Sequence, residues 1–321
     1  MPIKLINVIF FGSPAFAVPT LDALANDRWF NVLMAVTQPD RPAGRGKQLR
    51  PPAVKVAALE HEIPVSQPET LHSLESVEYL KRFPADLYVV AAYGEIFRRE
   101  VLTLPTHGVL NVHPSLLPRH RGSAPVQATI LNGERETGVS IIQMVRKLDA
   151  GPIIAQSRMS LNGTETAGSL SKRLAELSGR MIADVAAGWV EGTLPASPQV
   201  EEEATYTREL TKAEGRIDWR WPAVEIERRV RAMTPWPGAW TLLDGKRLRL
   251  LQVDISQKQS LSPGSINGTD NAVLVGTGTS PIRLLRVQPE GRREVAAEEW
   301  YRGARLRPEA RLEIPTDEGT C

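Results

Sequence analysis

The feature that most constrains this 321-residue chain is a succession of short apolar runs separated by segments of helix length. Residues 6–11 (Ile-Asn-Val-Ile-Phe-Phe) stop at Gly12, residues 31–37 end at Thr37, and residues 85–94 read Ala-Asp-Leu-Tyr-Val-Val-Ala-Ala-Tyr-Gly. Residues 65–67 and 109–112 add two shorter runs. Residues 53–61 and, after Thr70, residues 71–83 fit helices between them. Strands buried on both faces read as near-continuous hydrophobic stretches, and joining them in parallel takes a crossover of roughly a dozen residues or more. The pattern predicts an α/β, Rossmann-like domain with a mostly parallel sheet. Ser13 is expected to cap the first helix, with Pro14 at its first position. Gly12-Ser-Pro-Ala-Phe-Ala lacks the second and third glycines of a dinucleotide fingerprint, which argues against a nicotinamide cofactor.

The second half of the chain changes character. Residues 123–132 fit a short helix, 137–144 and 153–159 two strands, and 167–191 a long amphipathic helix that completes a first domain, 1–192. Pro195, Pro198 and the acidic run Glu201–Glu203 mark a linker over 193–206. Beyond it a helix at 223–233 is followed by β runs at 239–243, 247–253, 272–275 and 282–287, punctuated by Asp244-Gly245 and Asn267-Gly268 as turns. Closely spaced strands of this kind predict a smaller OB-like β-barrel domain, 207–321. Arg228, Arg229, Arg231, Arg247, Arg249, Arg292 and Arg293 stand among Trp219, Trp221, Trp236, Trp240 and Trp300. One reading is a basic nucleic-acid platform; the other is tryptophans in the core and arginines in solvent. A net charge of +2 does not choose between them.

No apolar run is long enough to span a bilayer, and the N-terminus lacks the layout of a signal peptide, so a cytoplasmic protein without a membrane partner is expected. The single cysteine, Cys321, leaves no internal disulfide and no Cys-rich zinc site, and no metal is expected.

Chemistry concentrates between His107 and Gly122. The run from Val109 ends at His113-Pro114, and alternation along a strand sends Asn111 and His113 to the same side. The mouth of an α/β sheet lies outside the carboxyl ends of its strands, which is where such a pair would meet a ligand. An amide N–H can donate to a developing oxyanion, and an imidazole can exchange protons with an amine near neutral pH. Asp149, in Leu-Asp-Ala-Gly-Pro, is the carboxylate best placed in a turn to join them. Taken alone, Asn-x-His reads equally as a strand-end histidine beside a capping asparagine.

The longer pattern decides more. Asn111-Val-His113-Pro-Ser115-Leu116-Leu117-Pro118, then Arg119-His-Arg121-Gly and later Leu148-Asp149-Ala-Gly151, resembles the signature of the 10-formyltetrahydrofolate-dependent formyltransferases. The resemblance implies a catalytic set of Asn111, His113 and Asp149. It implies a folate site lined by Ser115, Leu116, Leu117 and Pro118 and bordered by Tyr93 and Gly94. Phe16 would line the pocket for the acceptor's side chain, whereas from the residues alone it is a core aromatic. Arg119 and Arg121 are open to three readings: folate glutamate tail, tRNA phosphate, or solvated charge. Glu95-Ile-Phe-Arg98 departs from the family, where an apolar stretch ending in proline is expected.

The connection Gln38 to Pro52 is far longer than the roughly 2–6 residues of an ordinary βα loop. Its Gly46-Lys47 step is not a phosphate-binding P-loop, because Gln48 stands where Ser or Thr is required. On charge alone it is a solvated loop. Gln38-Pro-Asp-Arg-Pro-Ala-Gly-Arg-Gly-Lys47, however, resembles the inserted loop of those family members that act on methionyl initiator tRNA. That likeness implies tRNA contacts from Arg41, Arg45, Lys47 and Arg50. The segments Arg216–Trp219 and Pro235–Trp240 likewise resemble the tRNA-binding C-terminal domain. Together these imply a monomer that transfers the formyl group of 10-formyltetrahydrofolate, as co-substrate, to methionyl initiator tRNA and releases tetrahydrofolate. Alternatives are a small-amine formyltransferase acting on a nucleotide sugar or glycinamide ribonucleotide, a formyltetrahydrofolate hydrolase, or a non-enzymatic RNA-binding module.

Overall fold

The computed structural model describes residues 5–43, 48–269, 271–307 and 309–315. The chain divides into two compact units: 1–125, 136–160 and 171–207 form one, and 126–135, 161–170 and 208–321 the other. The division 1–192, 193–206, 207–321 drawn from sequence differs from this in two places. Two short segments near the middle of the chain belong with the second unit, and the stretch read as a linker belongs with the first.

The first unit is built on strands β1 (Ile6–Gly12), β2 (Phe30–Val36), β3 (Arg41–Ala43), β4 (Gln48–Arg50), β5 (Val65–Ser66), β6 (Leu87–Ala91), β7 (Val109–His113), β8 (Arg121–Gly122), β9 (Glu136–Gln143), β10 (Ile153–Ser160) and β11 (Tyr206–Thr207). Seven of them form one sheet in the order β10-β9-β7-β6-β1-β2-β5. The five from β7 to β5 run parallel, and β9 and β10 are antiparallel additions. The chain winds outward from β1 through β2 to β5 and then returns to β6 on β1's other side, so the order reverses there, the position at which open α/β sheets bind ligands. Alternate residues of β1 serve opposite faces. Ile9 and Phe11 join Met34, Tyr88, Val90, Tyr93 and Phe97 in one apolar cluster, while Val8 and Phe10 are equally buried on the other side.

The helices of this unit include α1 (Val18–Asn26), α2 (Ala53–Glu60), α3 (Leu74–Leu80) and α4 (Arg99–Leu102). Two local expectations are corrected. Ser13 does not cap α1; a 3-10 turn, Ala15–Ala17, intervenes, and Ser13 Oγ accepts the Gln38 N–H at 3.0 Å. The helix expected at 71–83 starts only after Ser73, whose Oγ accepts from Ser76 N–H at 3.1 Å. The Leu71 N–H is drawn off to Glu95 (2.8 Å) and the His72 N–H to Thr70 (3.1 Å), so neither enters the helix.

Two further helices, α5 (Pro125–Leu131) and α6 (Ala167–Val190), are followed in the second unit by α7 (Ala223–Ala232) and α8 (Ala297–Ala304). Its strands are β12 (Ala239–Leu243), β13 (Lys246–Ile255), β14 (Ile266–Thr269), β15 (Ala272–Val275), β16 (Ile282–Pro289) and β17 (Val295–Ala296). They form an antiparallel sheet in the order β12-β13-β16-β15-β14, with β17 on β16. The segment after α8 links the two edges, with the Leu312 N–H donating to Gly264 and the Glu313 N–H to Leu242, both at 2.9 Å. The resulting interior is packed with Trp219, Ile226, Val230, Leu250, Val275, Leu284 and Leu312. Asp244-Gly245 is the β12–β13 turn, with positive φ at both residues as that hairpin type requires. Asn267-Gly268 is not a turn. The two residues pair with Leu274 and Val273 inside β14, and the chain reverses only after Thr269.

Candidate active site

Strand β7 presents Asn111 and His113 two residues apart, which places both side chains on one side of the sheet. Its neighbours fix the height: Asn111 stands opposite Val90 of β6 and Ile142 of β9, and His113 opposite Ser140. Strands β9 and β10 form a hairpin, and Asp149 lies in the connection between them. A residue thirty-eight positions away in sequence thus returns to the end of β7.

The carboxylate sits among three partners. Asn111 Nδ2 donates to Asp149 Oδ1 at 3.2 Å, the Gly122 N–H donates to Oδ2 at 2.8 Å, and His113 Nδ1 lies 3.6 Å from Oδ2. The last distance is too long for a hydrogen bond, and the contact is an ion pair only when the imidazole is protonated. Asp149 and His113 are largely buried, with 11% and 5% of their side chains exposed. His113 Nε2 is 2.9 Å from the carbonyl of His120. A carbonyl only accepts, so Nε2 carries the proton and Nδ1 is the nitrogen left to act on a substrate. The Asn111 amide keeps its second hydrogen, since Asp149 uses one. Asp149 takes a left-handed backbone conformation, φ 45°, which short polar residues tolerate best.

The turn after β7 is held by buried hydroxyls. Ser115 Oγ donates to the Arg119 carbonyl (2.7 Å), and Ser140 Oγ donates to the Ser115 carbonyl (2.6 Å) while accepting the Leu117 N–H (3.1 Å). Gln156 of β10 donates to the Leu117 carbonyl at 2.9 Å. Ser115 and Leu117 are therefore interior, and Leu116 and Pro118, each half-buried, are the members of the turn with more surface. Tyr93 also faces inward. Its ring packs edge-on against Phe11 and Phe97, and its hydroxyl is buried with no hydrogen-bond partner among the described residues, its pKa raised by burial and then by Glu95. Gly94, φ 91°, is the exposed member of that pair. The departure at 95–98 has a local explanation: Glu95 caps the Leu71 N–H, and Phe97 fills the core against Phe11 at 5.0 Å. Phe16 is half-buried.

The N-terminal portion matches the family model described as Formyl transferase over residues 4–186, and residues 209–305 match Formyl transferase, C-terminal domain. The chain belongs to the formyl transferase family. A methionyl-tRNA formyltransferase of Chloroflexus aggregans is 44% identical over 300 residues, covering 92% of this chain and 97% of that protein. Its counterpart in Geobacter metallireducens is 41% identical over 308 residues, 96% of this chain and 98% of the relative. Among solved structures, the N-formyltransferase from Helicobacter canadensis with folinic acid and dTDP-3-aminofucose superimposes with a TM-score of 0.66 at 16% identity, covering 89% of this chain and all of that one. HypX from Aquifex aeolicus with tetrahydrofolic acid gives 0.62 at 18%, covering 91% and 46%. At such identities these two establish the fold, a formyl transferase α/β domain with antiparallel strands following it.

Of the basic residues singled out in this formyl transferase, Arg41 and Arg50 are exposed and paired across the β3–β4 hairpin, while Arg45 and Lys47 lie outside the described residues. The hairpin's base is anchored by Lys55, which donates to both oxygens of Asp40 at 2.9 and 2.8 Å and so lowers the Asp40 pKa. Arg121 is none of the three things expected of it. It is fully buried and bonded within the protein. In the second unit Trp219 is core, and Arg229 and Arg231 are committed to Glu214 and Glu227. Arg247 instead stacks over Trp240 at 4.1 Å and, with Lys246, Arg292 and Arg293, lines a cleft of about 950 Å³. Among the described residues no helix is long and apolar enough to cross a membrane, and no group of three or more His, Cys, Asp or Glu is placed to hold a metal. The roles of the Gly122 N–H, the His120 carbonyl and Gln199 are not legible in the sequence, because backbone groups carry no residue signal and Gln199 lies in the acidic stretch that reads as a linker.

Proposed function

We propose that this protein transfers the formyl group of 10-formyltetrahydrofolate to the α-amino group of methionyl initiator tRNA, in the cytoplasm and as a monomer. The observation that carries this reading is the meeting of Asn111, His113 and Asp149 at the end of β7. The near-full-length likeness to methionyl-tRNA formyltransferases supports the acceptor. In this mechanism the free amine attacks the formyl carbon and forms the new C–N bond. The second hydrogen of the Asn111 amide donates to the oxyanion, and His113 Nδ1 does so once it has taken up a proton, a term worth about 2.7–4 kcal/mol per donor. Asp149 orients His113 or takes the proton of the attacking nitrogen, which passes to N10 as the C–N10 bond breaks and tetrahydrofolate leaves.

The turn Ser115–Pro118, with Tyr93 and Gly94, borders the donor; Tyr93 does so through its backbone, since its ring is buried. Residues 1–192 carry the chemistry, and 207–321 bind tRNA together with Arg41, Arg45, Lys47 and Arg50. The cleft sets Lys246, Arg247, Arg292 and Arg293 against Asp244, Glu290 and Glu299, a small cationic excess that favours phosphates. The deciding assay compares formylation of charged initiator and charged elongator methionine tRNA, with a nucleotide amino sugar and buffer alone as further acceptors. Preference for the initiator is expected. Formyl transfer only to the sugar, or formate release without an acceptor, would refute the reading.

A further inference from the structure

We propose that Arg121 and Gln199 are positioning residues that set the conformation of Asp149, and that the stretch 199–207 is thereby part of the catalytic apparatus and not a passive connector. The inference rests on the formyl-transfer reading of the site.

The Arg121 guanidinium is fully buried. Its Nε and Nη2 donate to Gln199 Oε1 at 3.1 and 3.0 Å, and its Nη1 donates to Glu201 Oε2 at 2.9 Å and to the Tyr206 hydroxyl at 3.0 Å. The Tyr206 ring adds a cation–π contact at 5.7 Å. Because Arg121 can only donate, the Gln199 amide must turn its oxygen toward it and its nitrogen away. That nitrogen donates both hydrogens, one to the Asp149 carbonyl at 2.8 Å and one to the Gly151 carbonyl at 2.7 Å. The left-handed backbone of Asp149 is intrinsically unfavourable and needs such a hold.

The same two-residue strand grips the other end of the residue. Gly122, next to Arg121 in β8, donates its N–H to Asp149 Oδ2 at 2.8 Å. Strand β8 is in turn located by β11, which pairs Tyr206 with Arg121 and Thr207 with Gly122. The backbone and the carboxylate of Asp149 are thus both referenced to β8, one through Gln199 and one directly. The side-chain hydrogen bonds of Arg121 and Gln199 run to each other, to Glu201 and Tyr206, and to the Asp149 and Gly151 carbonyls, so their effect on the reaction passes through Asp149.

The test uses the full-length protein and single-turnover transfer from 10-formyltetrahydrofolate to methionyl initiator tRNA. Gln199→Met keeps the volume and removes both donors. It is expected to lower the transfer rate about 100-fold, the usual consequence of a misplacement near 1 Å, while KM for either substrate moves less than about twofold. Gln199→Glu keeps the acceptor for Arg121 but turns oxygen toward two carbonyls, and is expected to fall at least as far. The acid limb of the rate's pH profile should shift in both. In an Asp149→Asn background Gln199→Met should cost nothing further, because the two changes share one route. A folded Gln199→Met or Gln199→Glu protein with the wild-type rate overturns the proposal, as do losses that multiply in the Asp149→Asn background. Should Gln199→Met fail to fold, Gln199→Glu carries the same outcomes. If the wild-type protein transfers no formyl group to any amine, the underlying reading falls instead, so the two failures are distinct.

Discussion

Two connections in the first unit carry charged residues on which the proposed function depends, and they are built in opposite ways. The Asp149 connection is gripped at its backbone by Gln199 and at its carboxylate by Asn111 and Gly122, and the Asp149 side chain is nearly buried although Val145 to Leu148 before it are exposed. The β3–β4 hairpin is anchored at its base through Lys55 and Asp40, but Arg41, Leu49 and Arg50 are exposed. A group that must meet a reacting carbon needs fixed geometry, whereas a cation that meets a phosphate backbone works through charge and tolerates slack. A rigid site and a charge-based binding surface therefore place different demands on two connections of one fold.

The sharpest break would come at the rigid connection. Asn111→Ala should lower kcat/KM about 100- to 1000-fold, measured as formyl transfer, with the melting temperature little changed because Asn111 is only half-buried. Gly122→Ala should come next. A Cβ there would stand 2.1 Å from the Thr207 carbonyl, at a φ of 110° that only glycine adopts freely. The backbone conformation alone costs about 1–3 kcal/mol in such cases, so thermal melts should show a clear loss of stability and transfer should fall with it.

The exposed hairpin should respond more gently. Arg41→Ala or Arg50→Ala should weaken tRNA binding evenly across tRNA sequences and reduce the slope of log affinity against log salt by about one for each phosphate left without its cation. The single-turnover rate at saturating tRNA should stay unchanged. If either substitution instead lowers that rate as Asn111→Ala does, the contrast between the two connections collapses.

The smallest effect concerns pH. The Glu201 carboxyl titrates at about 2 in place of 4.5, held there first by Lys147 and then by Arg121. Its folded pKa is the lower one, so its contribution to stability is present above about 4.5 and is lost as pH falls toward 2. Glu201 is exposed, and the contribution is screened accordingly. In Glu201→Gln the acid limb of a melting-temperature profile should be shallower across that window, with a small loss that is largest at neutral pH and disappears as pH falls toward 2. Arg121 has a raised pKa although burial opposes its charge, because Glu201 and then Tyr206 accept from it.

The α/β class, the parallel runs, the antiparallel second half and the candidate set Asn111, His113 and Asp149 could all be read from the chain. Each depends on local information: the length of an apolar run, alternation along a strand, or an ordered motif. Strand periodicity sufficed to put Asn111 and His113 on one side, and a turn after a strand sufficed to suggest Asp149. What the sequence left undecided were the questions that hinge on which distant group a side chain meets. Arg121 and Arg41 look alike in sequence, yet one is sealed against Gln199, Glu201 and Tyr206 while the other stands in solvent. Ser13 and Leu71 each found a partner far along the chain that outcompeted a local helix cap. The acidic stretch 193–206 looked like a linker because composition reports polarity, and only the packing of β11 against β8 turns it into the support of a carboxylate.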